Sequence, residues 1–323
     1  MSRIINLKND VAKYVGITLE RVESLAAVAP KSYRRDEGSK RSGRGSRVIF
    51  HPSKKTKALQ YGLIKILLDD LPVHASAYAY RKGLKAPLLK NSMLHQKYSF
   101  SIRIDFKDFF PSIVPEDLFK VIDESGLFPA ALDSADKRFL ENVLFIRHHG
   151  LMHLAIGAPS SPSISNAIMH SLDVLFSAFA RDKDSVYSRY VDDIIFSTNR
   201  KGMCDEFLRF LSTTLSGTPS PILQVNATKT LVMSRGTRRC VTGMFITPEG
   251  GVSIGRTRKR KLRTLLYRYS KHLKGEDVLS KEDLNYLKGN LAFVLDVEPD
   301  YYNRLVQKYT ATMVNSALHA SVS

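Results

Sequence analysis

Three carboxylates could carry chemistry in this sequence: Asp105 and the adjacent pair Asp192 and Asp193. Each lies in strand-forming sequence. Val186, Tyr187, Tyr190 and Val191 precede the pair, and Ile194, Ile195 and Phe196 follow it. Neighbouring carboxylates repel each other, and neither can enter an apolar sheet unpaired. A strand ending in one acid and a hairpin tip bearing two can bring three carboxylates together. Such a group needs cations, and hard oxygen ligands select Mg²⁺, with Mn²⁺ as a substitute. Two such ions form the clamp of phosphoryl transfer, one at the attacking hydroxyl and one at the leaving pyrophosphate. Taken singly, Asp105 also suits a strand-end turn and Asp193 a solvated surface.

The elements that must position these acids are legible in part. In "YSFSIRIDFKDFF", Phe100, Ile102 and Ile104 alternate with Ser101, Arg103 and Asp105, which puts Asp105 at a strand end on the polar face. Residues 188–197 read as a hairpin. Residues 10–30 predict a short helix stopping at Pro30, residues 35–46 a Gly/Ser/Arg loop, and "RVIFHP" a strand. Residues 56–71 suit a helix with Leu59, Leu63, Ile66 and Leu67 on its apolar face. Residues 115–147 read as helical with a break near Gly126 and Pro129, and Pro162 starts a further helix. Residues 203–216 and two C-terminal segments complete the helices. Leu262, Leu265, Leu266 and Tyr269 mark the first of these segments, and Leu284, Leu287 and Leu291 the second.

Charge identifies the partner class. The 323 residues hold 49 Lys and Arg against 31 Asp and Glu, a net +18. Residues 31–60 contain ten of the cations, and residues 256–274 contain nine with no acid. Two such runs favour a polyanion, nucleic acid ahead of an anionic membrane surface. No apolar run approaches the ~20 residues of a bilayer span, and the first ten residues lack a signal-peptide core, so a cytoplasmic location is expected. Two cysteines, Cys204 and Cys240, offer no disulfide framework. His148, His149 and His153 lack a nearby Cys and a zinc-site spacing, and read as a basic, partly exposed cluster.

The sequence resembles the reverse transcriptases. "YVDD" is similar to their catalytic box, "RIDFKDFFPS" to their first catalytic motif, "GAPSSPSISN" to the motif that follows, and "VNATKT" to the lysine-bearing motif after the hairpin. The resemblance runs from about residue 47 to the C-terminus. "NSMLH" and "VTG" resemble the two signatures of retron reverse transcriptases, which copy a small structured RNA into a branched RNA–DNA hybrid. Three positions depart from the family pattern: Ser92 for Ala, Ala155 for Pro, and Ile156 for a Gln that commonly lies beside the incoming nucleotide.

The resemblance implies an α+β right-hand polymerase with a small antiparallel palm sheet and a helical thumb. Residues 1–97 would form the N-terminal region and fingers, 98–112 the first palm segment, 113–153 fingers and palm helices, 154–245 the palm, and 246–323 the thumb. Asp105, Asp192 and Asp193 would hold the metals, and Lys229 would offer a proton or charge to the pyrophosphate. Phe110 would lie under the sugar C2′ and exclude a 2′-OH, with Phe106 and Gly157 also at the nucleotide. Arg44 and Arg47 would grip the triphosphate, in competition with Arg35, Arg41 and Lys54. Tyr190 and Val191 would face the primer end. The RNA would meet Asn91, His95, Arg238, Arg239, Val241, Thr242, Gly243, Arg258, Lys259, Lys261 and Arg263.

The resemblance also implies partners: deoxynucleoside triphosphates, a cognate structured RNA and its RNA–DNA product, an effector protein acting against phage, and a host RNase H. Two other readings remain open. One is a group II intron or diversity-generating reverse transcriptase. The other is a non-catalytic RNA-binding protein of this fold, which the intact acids disfavour and a primer-extension assay separates.

Overall fold

The computed structural model of the protein describes residues 6–39, 46–128 and 131–320. Its centre is a five-stranded antiparallel sheet. The hairpin Val186–Tyr190 and Asp193–Thr198 lies beside Phe100–Lys107, and the short strands Gln224–Val225 and Leu231–Ser234 line the outer edge of that strand. The register sets Asp105 opposite Asp193, Arg103 opposite Ile195, and Ser101 opposite Ser197. The alternation read from the sequence therefore holds. Ile102, Ile104, Phe106 and Phe196 enter the main core with Phe176 and Phe207 of the helices His170–Asp182 and Met203–Gly217. The opposite face is not solvated. Ser101 and Ser197 are fully buried there, and Ile195 packs with Val241 and Ile246 of a second small sheet.

That second sheet, Arg239–Val241, Met244–Ile246 and Val252–Ser253, leads into a separate apolar core. Met244, Ile254, Leu262, Leu266, Leu287, Leu291, Leu305 and Val314 build it from four helices: Arg256–His272, Lys281–Val297, Pro299–Tyr309 and Ala311–His319. Two helices were expected here. Pro299 opens the third and the Thr310 side chain caps the fourth, so the chain turns twice more.

Other expectations need revision near the N-terminus. The single helix over 10–30 is two, Leu7–Val15 and Leu19–Val28. Gly16 adopts φ +75, which ends the first in a left-handed cap, and Thr18 caps the second. The loop expected over 35–46 is a strand as far as Ser39: Tyr33–Ser39 pairs antiparallel with Ser46–Pro52. Its sequence is polar because Arg34, Arg35, Glu37 and Gly38 are exposed, while only Tyr33 reaches the small apolar cluster around Phe50. The helix expected over 56–71 runs from Lys54 to Ile66, with Ser53 as its cap. Ser161–Ile168 and His170–Asp182 are separate helices. No helix among the described residues is long and apolar enough to cross a membrane.

Candidate active site

Three carboxylates meet at one end of the central sheet. Asp105 and Asp193 are cross-strand partners, and Asp192 sits in the turn between the hairpin strands. That turn is strained. Val191, a β-branched residue, has φ +62. Arg189 holds it there: its guanidinium donates to the Val191 carbonyl at 2.9 Å and to Asn166 Oδ1 at 3.1 Å. The same fully buried guanidinium grips Asp173 through contacts of 2.7 and 2.9 Å, and Tyr187 Oη donates to Asp173 at 2.6 Å. Segment 76–79 adds backbone bonds along the hairpin edge, with Arg189 N–H donating to Ser76 O at 2.8 Å.

The carboxylates stress one another. Burial and then the charge of Asp192 push the Asp193 carboxyl up to about 6. Burial and then Asp105 raise Asp192. Lys229 Nζ donates to Asp105 Oδ1 at 2.7 Å, and Asn226 Nδ2 donates to the same oxygen at 3.3 Å. Among the described residues no three His, Cys, Asp or Glu side chains form a ready-made metal centre. The donor set nevertheless suits a hard cation, since it is all oxygen, crowded and partly buried. A cation would meet Asp105 through its second oxygen or in competition with the ammonium.

Beside the acids lies a cleft of about 700 Å³, lined by Arg35, Arg47, Phe106, Phe110, Ile156, Asp192 and Lys229. His148, His149 and His153 line it as well. A second groove of about 710 Å³ runs from Tyr190 and Asp193 to Thr242, Gly243, Arg258, Tyr286 and Phe293. Arg258 stacks over Phe293 with 4.9 Å to the ring centroid, and Lys261 over Tyr286 with 3.8 Å. The carboxylate corner thus opens on one side to a compact pocket and on the other to a groove lined by Arg258 and the rings of Tyr190, Tyr286 and Phe293. Cations there favour phosphate, and ring faces accept stacked bases.

Residues 39–286 match the family model described as "Reverse transcriptase (RNA-dependent DNA polymerase)". Three curated relatives agree. The Retron Ec83 reverse transcriptase of Escherichia coli is 33% identical over 84% of this chain and 85% of its own length. The Retron Ec73 reverse transcriptase of Escherichia coli is 33% identical over 87% of this chain and 88% of its own length. The Retron Ec86 reverse transcriptase of Escherichia coli is 27% identical over 97% of this chain and 94% of its own length. The chain belongs to the retron reverse transcriptases. It is an RNA-directed DNA polymerase, and its fold is the right hand of fingers, palm and thumb.

Several residues expected to touch ligands in this reverse transcriptase instead hold its framework. Gly157, expected at the nucleotide, has φ +110, and a Cβ there would lie 2.8 Å from Ile49 Cγ2 and 2.9 Å from Phe50 O. It permits close approach of the strand Ser46–Pro52, where Phe50 N–H donates to Ile156 O at 2.8 Å. Asn91, His95 and Val241 are fully buried, and Arg239 is 1% exposed, so none presents a side chain to RNA. Arg239 donates to the carbonyls of Tyr98 and Thr247. Lys259 is paired with Glu298, which also accepts from Ile254 N–H at 3.0 Å. Arg44 and Arg41 lie outside the described residues.

Others stand at the surface or in the openings. Arg238 is exposed and stacks over Phe245 at 3.9 Å, while Lys261 and Arg263 are exposed on the helix Arg256–His272. Thr242 and Gly243 form the left-handed turn, φ +48 and +79, at the edge of the groove. Lys54 is absent from the described lining of the cleft, whereas Arg35 is part of it. Sequence reasoning missed the Arg189–Asp173 pair and the three histidines at the cleft. The only signal for Arg189 was its place, two residues from Tyr187, on the apolar face of the hairpin.

Proposed function

We propose that this enzyme copies a cognate structured RNA into a branched RNA–DNA hybrid, with Asp105, Asp192 and Asp193 as ligands of two divalent cations. The observation that carries the reading is the in-register pairing of Asp105 with Asp193 beside Asp192, at the junction of a compact pocket and a cationic groove. When bound, the cations, Mg²⁺ by the hardness of the donors, supply Lewis acidity to the attacking hydroxyl and the departing pyrophosphate.

The chain's own groups do the rest. Arg47 and Arg35, on the fingers ribbon at the cleft, attract the triphosphate. Phe110 closes the wall of the cleft where a sugar would lie and leaves no room for a 2′-OH. Lys229, half exposed and bonded to Asp105, is placed to deliver a proton or charge to the leaving group. Tyr190 borders the groove and supports the primer end. Arg258, Lys261, Arg263 and Arg238 track phosphates.

In this reading residues 1–97 and parts of 113–153 form the fingers, residues 98–112 and 154–245 the palm, and residues from about 246 the thumb. The separate core that begins at Met244 supports the last boundary. A host RNase H removes the template, and an effector protein completes a cytoplasmic defence system against phage. The test is Asp192→Asn with Asp193→Asn. Nucleotide incorporation should vanish while RNA binding persists, and near-normal synthesis by this variant would end the metal-site reading.

A further inference from the structure

The buried polar face of the central sheet holds an arrangement that polymer chemistry alone does not require. His95 lies just past the helix Pro87–Leu94 and is fully buried. Its Nδ1 is 2.8 Å from Ser197 Oγ, and its Nε2 is 2.7 Å from Ser188 Oγ. Ser197 Oγ in turn donates to Ser101 Oγ at 2.8 Å. The three serines sit on three different strands. Ser101 shares a strand with Asp105, Ser197 with Asp193, and Ser188 precedes the turn that carries Asp192.

One proton pattern fits these contacts. Ser197 spends its hydroxyl proton on Ser101, so it accepts from Nδ1–H of His95. The imidazole is neutral, because burial pushes its pKa down to about 3. Nε2 therefore carries no proton and accepts from the Ser188 hydroxyl. The ring and the Ser188 and Ser197 hydroxyls donate in one directed chain, Ser188 to His95 to Ser197 to Ser101. The bonds lie along the same sheet face as the side chains of Asp105 and Asp193, two pleats back from the acids on the Asp105 and Asp193 strands.

We propose that His95 is a positioning residue of the polymerase, fastening the three strands whose ends carry Asp105, Asp192 and Asp193 so that the carboxylates keep one spacing. The inference rests on the reading of those acids as cation ligands. Repulsion among three crowded carboxylates pushes the strand ends apart, and the backbone ladders that would oppose it stop at the Asp105–Asp193 and Tyr190–Asp193 pairs. A rigid, planar ring bonded to two strands, with the third linked through Ser197, adds the missing constraint. Partners that orient metal ligands typically matter tenfold to a hundredfold in affinity or rate.

The experiment compares Ser188→Ala with Ser197→Ala together, His95→Phe, His95→Gln and the unchanged protein. The serine variant removes two hydroxyls and leaves the fold its volume, so it tests the idea even if His95→Phe fails to fold. Three quantities are read on the folded fraction. They are kcat on a generic primer–template, the Mg²⁺ concentration for half-maximal rate, and Mn²⁺ binding to the free protein by electron paramagnetic resonance. The serine variant and His95→Phe should lower kcat by about tenfold to a hundredfold and weaken Mn²⁺ binding by about tenfold, with KM for deoxynucleotides and affinity for RNA changed less than about twofold. His95→Gln, which keeps one bond, should recover part of the loss. Unchanged kcat and Mn²⁺ binding in the folded serine variant would overturn the proposal, as would a loss that only follows the unfolded fraction. The Asp192→Asn, Asp193→Asn protein separates the two readings. If it is inactive while the serine variant is normal, only the role of His95 fails. If it remains active, the metal site itself is wrong.

Discussion

Arg189→Met should destabilise the enzyme by about 3–5 kcal/mol, the usual result of removing one member of a buried ion pair. Arg189 and Asp173 have no exposed side-chain area. Without the guanidinium, Asp173 keeps only the Tyr187 hydroxyl at 2.6 Å, and its charge has neither water nor a counter-ion. Adding Asp173→Leu removes that stranded charge. The double variant should regain most of the stability, to within about 1–2 kcal/mol of the starting protein, because an apolar pair can replace a buried ionic one at little cost. Activity should not return with it. Methionine cannot donate to the Val191 carbonyl, so the left-handed residue before Asp192 loses the bond that holds it. Urea denaturation followed by circular dichroism gives the stabilities, and single-nucleotide incorporation on the folded protein gives the rate. If the double variant is no more stable than Arg189→Met, the stranded charge is not the cause. If it recovers full incorporation, the turn does not need Arg189.

Phe110→Ala should let ribonucleotides compete, since the ring lines the cleft beside Asp192; an unchanged ratio of deoxy- to ribonucleotide incorporation would rule the ring out as the filter. Neutralising Arg258, Lys261 and Arg263 should flatten the log–log salt dependence of single-stranded RNA binding by roughly two units, at about −0.7 per contact, and an unmoved slope would show these cations to be merely solvated. The pH dependence of stability should change with His95→Gln. With a folded-state pKa of about 3 against 6.5 for the free side chain, the unfolded chain takes up a proton that the native protein refuses, so stability falls as pH drops from 6.5 towards 3. That slope, about 1.4 kcal/mol per pH unit, should be missing from the variant in chemical denaturation at pH 6.5 and 5. Asp193, raised to about 6, works in the opposite direction, adding stability as pH falls, and Asp193→Asn in both backgrounds removes its contribution from the comparison.

The acids were readable because a carboxylate inside strand sequence has few structural reasons to be there. The strand from Phe100 was readable from strict alternation. What that alternation could not show is that its polar face is covered: Ser101 on that face and its cross-strand partner Ser197 are fully buried. Asn91, His95 and Arg239 failed for the same reason in reverse. Their types suit RNA, and a sequence does not say whether a polar group faces solvent or a buried partner. The strand Tyr33–Ser39 has a loop's composition, and its shape comes from pairing with Ser46–Pro52. Arg189 and Asp173 lie on consecutive elements, a strand and the helix before it, and no spacing rule of either element joins them; only the packing of that helix on the sheet does.

The helix Pro87–Leu94 precedes the central sheet in the chain but is physically part of the seam with the C-terminal helices. Leu89 packs against their core, Ser92 Oγ donates to Val241 O at 3.0 Å, and Thr242 Oγ1 donates to Leu88 O at 3.4 Å. Anyone exchanging thumbs between relatives, whether by recombination in nature or by grafting at the bench, would cut near residue 240 if guided by chain order. That cut leaves behind half of the socket. The exchangeable module is discontinuous: this short helix must travel with the C-terminal portion, and a graft that moves both together should keep its seam intact where a simple fusion would leave mismatched halves.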